Sequence, residues 1–130
     1  MAVKAHISET QRLAGPGLRA FFAIADRWGL DNEQRRTLLG SLPESTFYKY
    51  AADPQSARLT HDTLERISHL VGIFKAVNVL LPRPEQADAW VKRPNDAALF
   101  KGSSALAFML SGRFDDLIAV RRYLDAERGW

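Results

Sequence analysis

Cysteine is absent from this chain of 130 residues, which excludes disulfide bonds and thiol chemistry and suits a reducing compartment. A long hydrophobic run is also lacking, because Lys75 and Asn78 interrupt the most apolar stretch, residues 70–81. The first ten residues have neither the apolar core nor the cleavage site of a signal peptide. We therefore expect a cytoplasmic location and no membrane partner. The formal net charge of +3 is compatible with nucleic acid but does not argue for it.

Patterns typical of catalytic and metal sites are missing as well. His61 and His69 are separated by about two helical turns, too far to share an ion, and His6 lies in another segment. Asp115 and Asp116 open a helix, where negative charge suits the helix dipole, and adjacent helical positions point apart. The sequence has no glycine-rich phosphate loop and no nucleophile elbow. We expect no metal, no cofactor and no enzymatic activity.

Strand signals are scarce, since no stretch alternates polar and apolar residues for long. Apolar residues recur at helical spacing instead, which predicts an all-α fold. The predicted helices are 17–28, 31–40, 44–52, 60–81, 85–92, 96–101, 104–111 and 114–128. Asp31 and Ser103 are predicted N-caps, and Pro43 suits the first position of its helix. The long helix carries an apolar stripe, which is expected to face the core: Leu64, Ile67, Val71, Phe74 and Leu81.

The segment Pro82-Arg83-Pro84 ends the long helix and is the best candidate for an internal boundary. We expect residues 1–15 to form a flexible N-terminal segment. Residues 16–81 then form a first helical domain and residues 84–130 a second, smaller one. Trp90 is most simply explained as part of the second core.

A short helix, a turn with Gly40 and a second short helix between longer ones predict a helix-turn-helix. Phe47, Tyr50 and Ala51 are expected to be buried. Thr46 falls where a buried aliphatic residue usually lies, so Phe47 must take that role. The predicted DNA-binding residues are polar or cationic side chains on this helix, in the following loop and on the preceding helix: Ser45, Thr46, Tyr48, Lys49, Arg58, Arg35 and Arg36.

The last helix is followed by Gly129 and Trp130, and this ending supports two interpretations. In the first, Gly129 adopts a left-handed conformation and Trp130 folds back onto Leu124 as part of a helix cap. In the second, Trp130 enters a pocket of a partner, because tryptophan is enriched among interface anchors. Local sequence alone favours the cap.

The pattern Trp90-x3-Pro94-Asn95-x3-Leu99-x2-Gly102 precedes a short helix, Gly112 and a last helix with Val-Arg-Arg-Tyr-Leu. It resembles the toxin-binding domain of the MbcA/ParS/Xre antitoxin family. Residues 60–75 are similar to the helix that follows the Xre-like helix-turn-helix of the same proteins, so the resemblance covers about residues 17–130. The family often has a proline in the capped turn where this chain has Ser103-Ser104, a local change.

This resemblance implies an antitoxin of a type II toxin–antitoxin module that neutralises an NAD-degrading RES-domain toxin. It also implies binding to operator DNA as a homodimer, or within a larger toxin–antitoxin hetero-oligomer. The end of the chain would cover the NAD site of the toxin, through residues on and after the last helix: Arg121, Arg122, Arg128, Gly129 and Trp130. Arg121 and Arg122 are equally well explained as a solvated helix face.

Two other functions remain open at this point. One is a stand-alone transcriptional regulator whose second domain serves only oligomerisation. The other is a protein-interaction adaptor without DNA binding, which the departures at Gly40 and Thr46 allow. Salt-dependent retention on upstream DNA would separate a DNA-binding protein from the adaptor, because phosphate contacts weaken steeply with salt.

Overall fold

The structure is a computed structural model that describes residues 9–129. Within that range the chain folds into helices without a named strand, which confirms the all-α prediction. The seven α-helices are α1 (Glu9–Trp28), α2 (Asn32–Leu38), α3 (Glu44–Ala52), α4 (His61–Leu80), α5 (Pro84–Trp90), α6 (Ala105–Met109) and α7 (Phe114–Glu127), with one 3-10 turn at Pro54–Ser56. No helix in this part of the chain is long and apolar enough to span a bilayer.

Helix α1 begins at Glu9, so the prediction that it starts at residue 17 is wrong. Pro16 lies inside the helix, where it removes one backbone donor, but its ring is exposed. The core-facing side continues upstream of it, since Ala14 and Leu18 are both buried. Burial on this face therefore offsets the cost of the proline.

Side-chain caps fix the beginnings of α2 and α4. The Asp31 carboxylate accepts from Gln34 N at 2.8 Å, and the Gln34 side chain accepts from Asp31 N, forming a capping box. Thr60 caps α4 by accepting from Thr63 N at 3.1 Å. Pro43 is the N-cap residue of α3 and not its first helical residue. The capping role predicted for Asp31 is confirmed.

The connection between α5 and α6 differs from the prediction. Residues 96–101 form turns and no helix, because Asn95 closes the loop on itself. Gly102 N donates to Asn95 O at 2.9 Å, and Asn95 N donates to Ser103 O at 3.1 Å. Ser104, and not Ser103, caps α6 by accepting from Ala107 N at 3.0 Å. The chain therefore starts α6 one residue later than predicted.

Helix α4 is the centre of the molecule and packs against both α1 and α7. Its buried residues are Thr63, Ile67, Leu70, Ile73, Ala76 and Val77. Of the predicted stripe only Ile67 is fully buried, because α4 is covered from two sides and its core positions wrap around more than one face. One hydrophobic cluster runs from Ala14 in α1 to Leu124 in α7, so both parts of the chain share a core.

Candidate DNA-reading corner and toxin-binding helix

The segment from α2 to α3, residues 32–52, is called the corner below. Its turn requires a left-handed backbone, with φ +101° at Gly40 and +62° at Ser41. Ser41 N donates to Arg36 O at 2.8 Å, and Gly40 N donates to Thr37 O at 3.0 Å. The glycine of the predicted helix-turn-helix therefore lies in the turn between the two short helices.

Helix α3 is anchored by a single large side chain. Phe47 is 1% exposed and meets Phe22 of α1 edge to face, at 5.9 Å between ring centroids. Tyr50 is partly buried, and its hydroxyl donates to Arg58 O at 3.2 Å. Ala51 is exposed, so the prediction of its burial is wrong; it lies in the last turn of α3, one residue before the helix ends. Thr46 is partly buried, and Phe47 holds the core position as predicted.

The opposite face of α3 is open to solvent. Ser45, Tyr48 and Lys49 are all exposed, and their spacing places them on one side of the helix. Asn32 Nδ2 donates to the Tyr48 hydroxyl at 3.3 Å, which links this face to the beginning of α2. Arg58 is exposed in the loop that its carbonyl ties to Tyr50. Ser45, Tyr48 and Lys49 thus form one polar face of α3, and Arg58 adds a second cationic group in the loop that follows the helix.

Arg35 and Arg36 turn their side chains toward the protein. Arg35 donates to Leu30 O and to the Asp26 carboxylate, both at 2.9 Å, and its side chain is 18% exposed. Arg36 Nε donates to Leu42 O at 2.9 Å. The structure therefore separates these arginines from the exposed face of α3. Arg36 stabilises the turn, and Arg35 stabilises the connection between α1 and α2.

Contacts from α4 to the corner involve residues that the sequence did not single out. The buried Thr63 hydroxyl donates to Leu39 O at 3.0 Å, next to the turn. Arg66 Nε pairs with Asp62 Oδ2 at 2.8 Å, and Arg66 NH1 donates to Gly112 O at the same distance. The Asp62–Arg66 spacing is an ordinary helical ion pair that a sequence can indicate. The bond to Gly112 joins residues 46 positions apart and has no local signal.

Helix α7 presents one arginine to α4 and one to solvent. Arg121 is partly buried and crosses Gly72, where a Cβ atom would lie 2.5 Å from its Cζ. Its NH1 lies 3.4 Å from Nδ1 of His69, which must accept because a guanidinium only donates. Burial and then Arg121 lower the pKa of His69, while Glu65 raises it. Arg122 is exposed.

The end of α7 has the backbone of a glycine-terminated cap. Arg128 N donates to Leu124 O and Gly129 N to Ala126 O, both at 3.0 Å, and φ of Gly129 is +83°. The left-handed conformation predicted for Gly129 is confirmed. Trp130, on which both interpretations of the ending depend, lies outside the described residues.

A small apolar notch of about 170 Å³ lies beside this end of α7. Its lining comes from α4, α5 and α7: Val77, Leu80, Leu81, Trp90, Tyr123, Leu124 and Glu127. Burial and then the Glu127 carboxylate raise the pKa of Tyr123. Within residues 9–129 no group of histidines and carboxylates is arranged to hold a metal ion.

A helix-turn-helix corner, a shared central helix and a small C-terminal helical unit define the class of protein: an all-α helix-turn-helix protein with a second helical domain. Residues 9–72 match the antitoxin Xre-like helix-turn-helix domain, and residues 76–129 match the antitoxin Xre/MbcA/ParS C-terminal toxin-binding domain. The chain belongs to this antitoxin family, as the resemblance noted above implied. The two matches meet inside α4.

The chain is also similar to a protein of Sinorhizobium fredii that is described as "Uncharacterized protein y4oB". The two are 49% identical over 112 residues, which covers 86% of this chain and 84% of that protein. The similarity therefore extends over both family domains and not over one of them alone.

Proposed function

We propose that this antitoxin neutralises an NAD-degrading RES-domain toxin and represses its own operon as a homodimer. The observation that carries the proposal is the joining of an exposed, polar α3 to α7 through one core. Such a chain can present a DNA-reading surface and a toxin-binding end at the same time. The RES toxin follows from the family resemblance.

The exposed face of α3 is proposed to enter the major groove of the operator. Ser45, Tyr48 and Lys49 would make the phosphate and base-edge contacts, and Arg58 a backbone contact. Thr46 borders this face. Arg36 holds the turn and Arg35 holds the connection between α1 and α2, so we assign them a supporting role through their charge and not direct base contacts.

The end of α7 is proposed to cover the toxin. Arg122 lies exposed on the approach, and the residues that follow the helix, Arg128, Gly129 and Trp130, form the blocking end. Arg121 contributes indirectly in this proposal, because its contacts with α4 fix the orientation of α7. A cationic and aromatic end suits a pocket that binds a nucleotide.

The surface between α1 and α4 supports the homodimer. A groove of about 540 Å³ runs between the two helices, and most of its lining is apolar: Ala20, Ala23, Ile24, Val71 and Phe74, with Asp26, Arg27 and Lys75 at its rim. Paired copies would place two corners on one DNA duplex, as helix-turn-helix proteins commonly do.

Cellular NAD and viability test the toxin part of the proposal. The toxin encoded next to this chain is co-expressed with the full chain or with a version that ends at Glu127. We expect the full chain to preserve NAD, and the shortened one to co-purify with the toxin but not protect. Equal protection by both would assign inhibition to the domain surface and Trp130 to a helix cap. Absence of binding by either would favour the stand-alone regulator.

Binding to a duplex of the upstream region tests the DNA part. Lys49→Ala is expected to weaken binding and to lower the salt dependence by about one unit of slope, as loss of one phosphate contact requires. Arg93→Ala removes an exposed cation between α5 and α6, away from the corner, and is the matched control. Binding that is insensitive to salt would contradict a DNA-reading role and favour the adaptor.

A further inference from the structure

Arg66 connects two regions that the proposed function keeps separate. It lies on α4 with its side chain 11% exposed, and it makes two charge-assisted hydrogen bonds of 2.8 Å. One joins it to Asp62, one turn earlier on α4. The other reaches Gly112 O, two residues before α7, and the guanidinium also lies 5.6 Å from the centre of the Phe114 ring. Arg66 therefore holds the beginning of α7.

The same side chain also packs against the turn of the corner. A Cβ atom on Gly40 would lie 3.2 Å from both Arg66 Nε and Asp62 Oδ2, so the turn backbone rests directly on this ion pair. On the far side, a Cβ on Gly112 would lie 3.6 Å from the Thr37 methyl group at the end of α2. Gly40 and Gly112 thus share one support, the partly buried side chain of Arg66.

We propose that Arg66 is a positioning residue through which toxin engagement of α7 changes the DNA affinity of the corner. This inference rests on the proposed function. A displacement of residues 111–113 either breaks the bond to Gly112 O or moves Arg66, and with it the pair on which Gly40 rests. Under this proposal the toxin and the DNA favour different positions of Arg66, which is the requirement for coupled binding. Lysine cannot replace it, because one ammonium lacks the fork that reaches both acceptors.

The test compares DNA affinity with and without the toxin. The probes are a duplex of the upstream region and the toxin encoded next to this chain, each also titrated alone. Variants are Arg66→Met, Arg66→Lys and the control Arg113→Met, which removes the same charge from an exposed residue next to Gly112. Circular dichroism checks that each variant is folded, and Arg66→Lys serves if Arg66→Met is not.

We expect saturating toxin to change the DNA affinity of the wild-type chain at least about 5-fold, a typical lower value for coupled sites. The Arg66 variants should still bind each partner alone, but their DNA affinity with and without toxin should differ by a factor of only about one. Arg113→Met should show the same toxin-induced change as the wild-type chain. An unchanged factor in a folded Arg66 variant overturns the inference. So does a wild-type chain that binds both partners independently, although the proposed function then stands. A wild-type chain that fails to bind one partner refutes that part of the proposed function itself.

Discussion

The corner and the C-terminal unit, residues 84–129, are held in place by different kinds of contact. Around the turn, side chains donate to backbone carbonyls: Arg36 to Leu42 O and Thr63 to Leu39 O. In the C-terminal unit, Phe100 is the hub of an aromatic cluster. Hydrogen bonds depend strongly on direction, whereas apolar contacts add up with area. Although Phe47 anchors α3 in the core, a few directional bonds thus fix the geometry of the turn, whereas the aromatic cluster supplies the stability of the C-terminal unit.

The largest effect is expected where the aromatic cluster is removed. Phe100 is 2% exposed and meets Trp90, Phe108 and Tyr123 edge to face, at 6.1, 5.7 and 5.3 Å. Phe100→Ala should lower the free energy of unfolding by about 3–5 kcal/mol, measured by urea denaturation. Leu13→Ala, at a side chain that is 49% exposed, is the control and should change little. A loss of less than about 1 kcal/mol would show that the cluster does not carry this unit.

A smaller effect is expected in the corner. Thr63→Val keeps the volume but leaves Leu39 O without its buried donor, which should lower the unfolding free energy by about 1–3 kcal/mol. Thr37→Val is the control, since the Thr37 hydroxyl only bonds back to Glu33 O within α2. If both variants match the wild type in urea, directional contacts do not fix the corner, and the contrast between the two regions disappears.

The contrast also explains what the sequence could and could not predict. Local signals sufficed for α4, where Thr60 is the N-cap and Leu81 the C-cap, and for the left-handed Gly129. They failed for residues 96–101, because helical periodicity does not reveal that Asn95 pairs with Ser103 across the loop.

Local sequence also did not predict which partner an arginine side chain contacts. Arg35 reaches back to Asp26, and Arg66 reaches forward to Gly112, so each partner lies on another element. A long side chain has many rotamers, and the neighbour that selects one is brought close only by the fold. Exposed residues of α3 such as Lys49 were predictable because the helix period alone places them opposite Phe47.

Two neighbouring arginines of α7 allow a comparison of a partly buried side chain, Arg121, with an exposed one, Arg122. Arg121→Ala should lower the unfolding free energy by about 1 kcal/mol, because the side chain covers Gly72 and contacts His69. Arg122→Ala should stay within about 0.5 kcal/mol of the wild type, as expected for an exposed position. Thermal unfolding measures both. Toxin affinity provides the second measurement, and we expect Arg122→Ala to weaken binding without loss of stability. Equal stability losses would contradict the assignment of Arg121 to the fold.

The smallest effect concerns pH. Burial and Arg121 lower the pKa of His69 below its ordinary value of 6.5, so the unfolded chain takes up this proton more readily than the folded one. The contribution of His69 to the free energy of unfolding is therefore fully present above about pH 6.5. It is lost as the pH drops from there toward the lowered pKa of the folded chain. His69→Gln should remove this part of the decline. Urea midpoints at pH 7.5 and 5.5 test it, because His6, His61 and the carboxylates are common to both chains and cancel in the difference. An equal decline in both would mean that Glu65 offsets burial and Arg121 together, so that folding does not lower the pKa of His69.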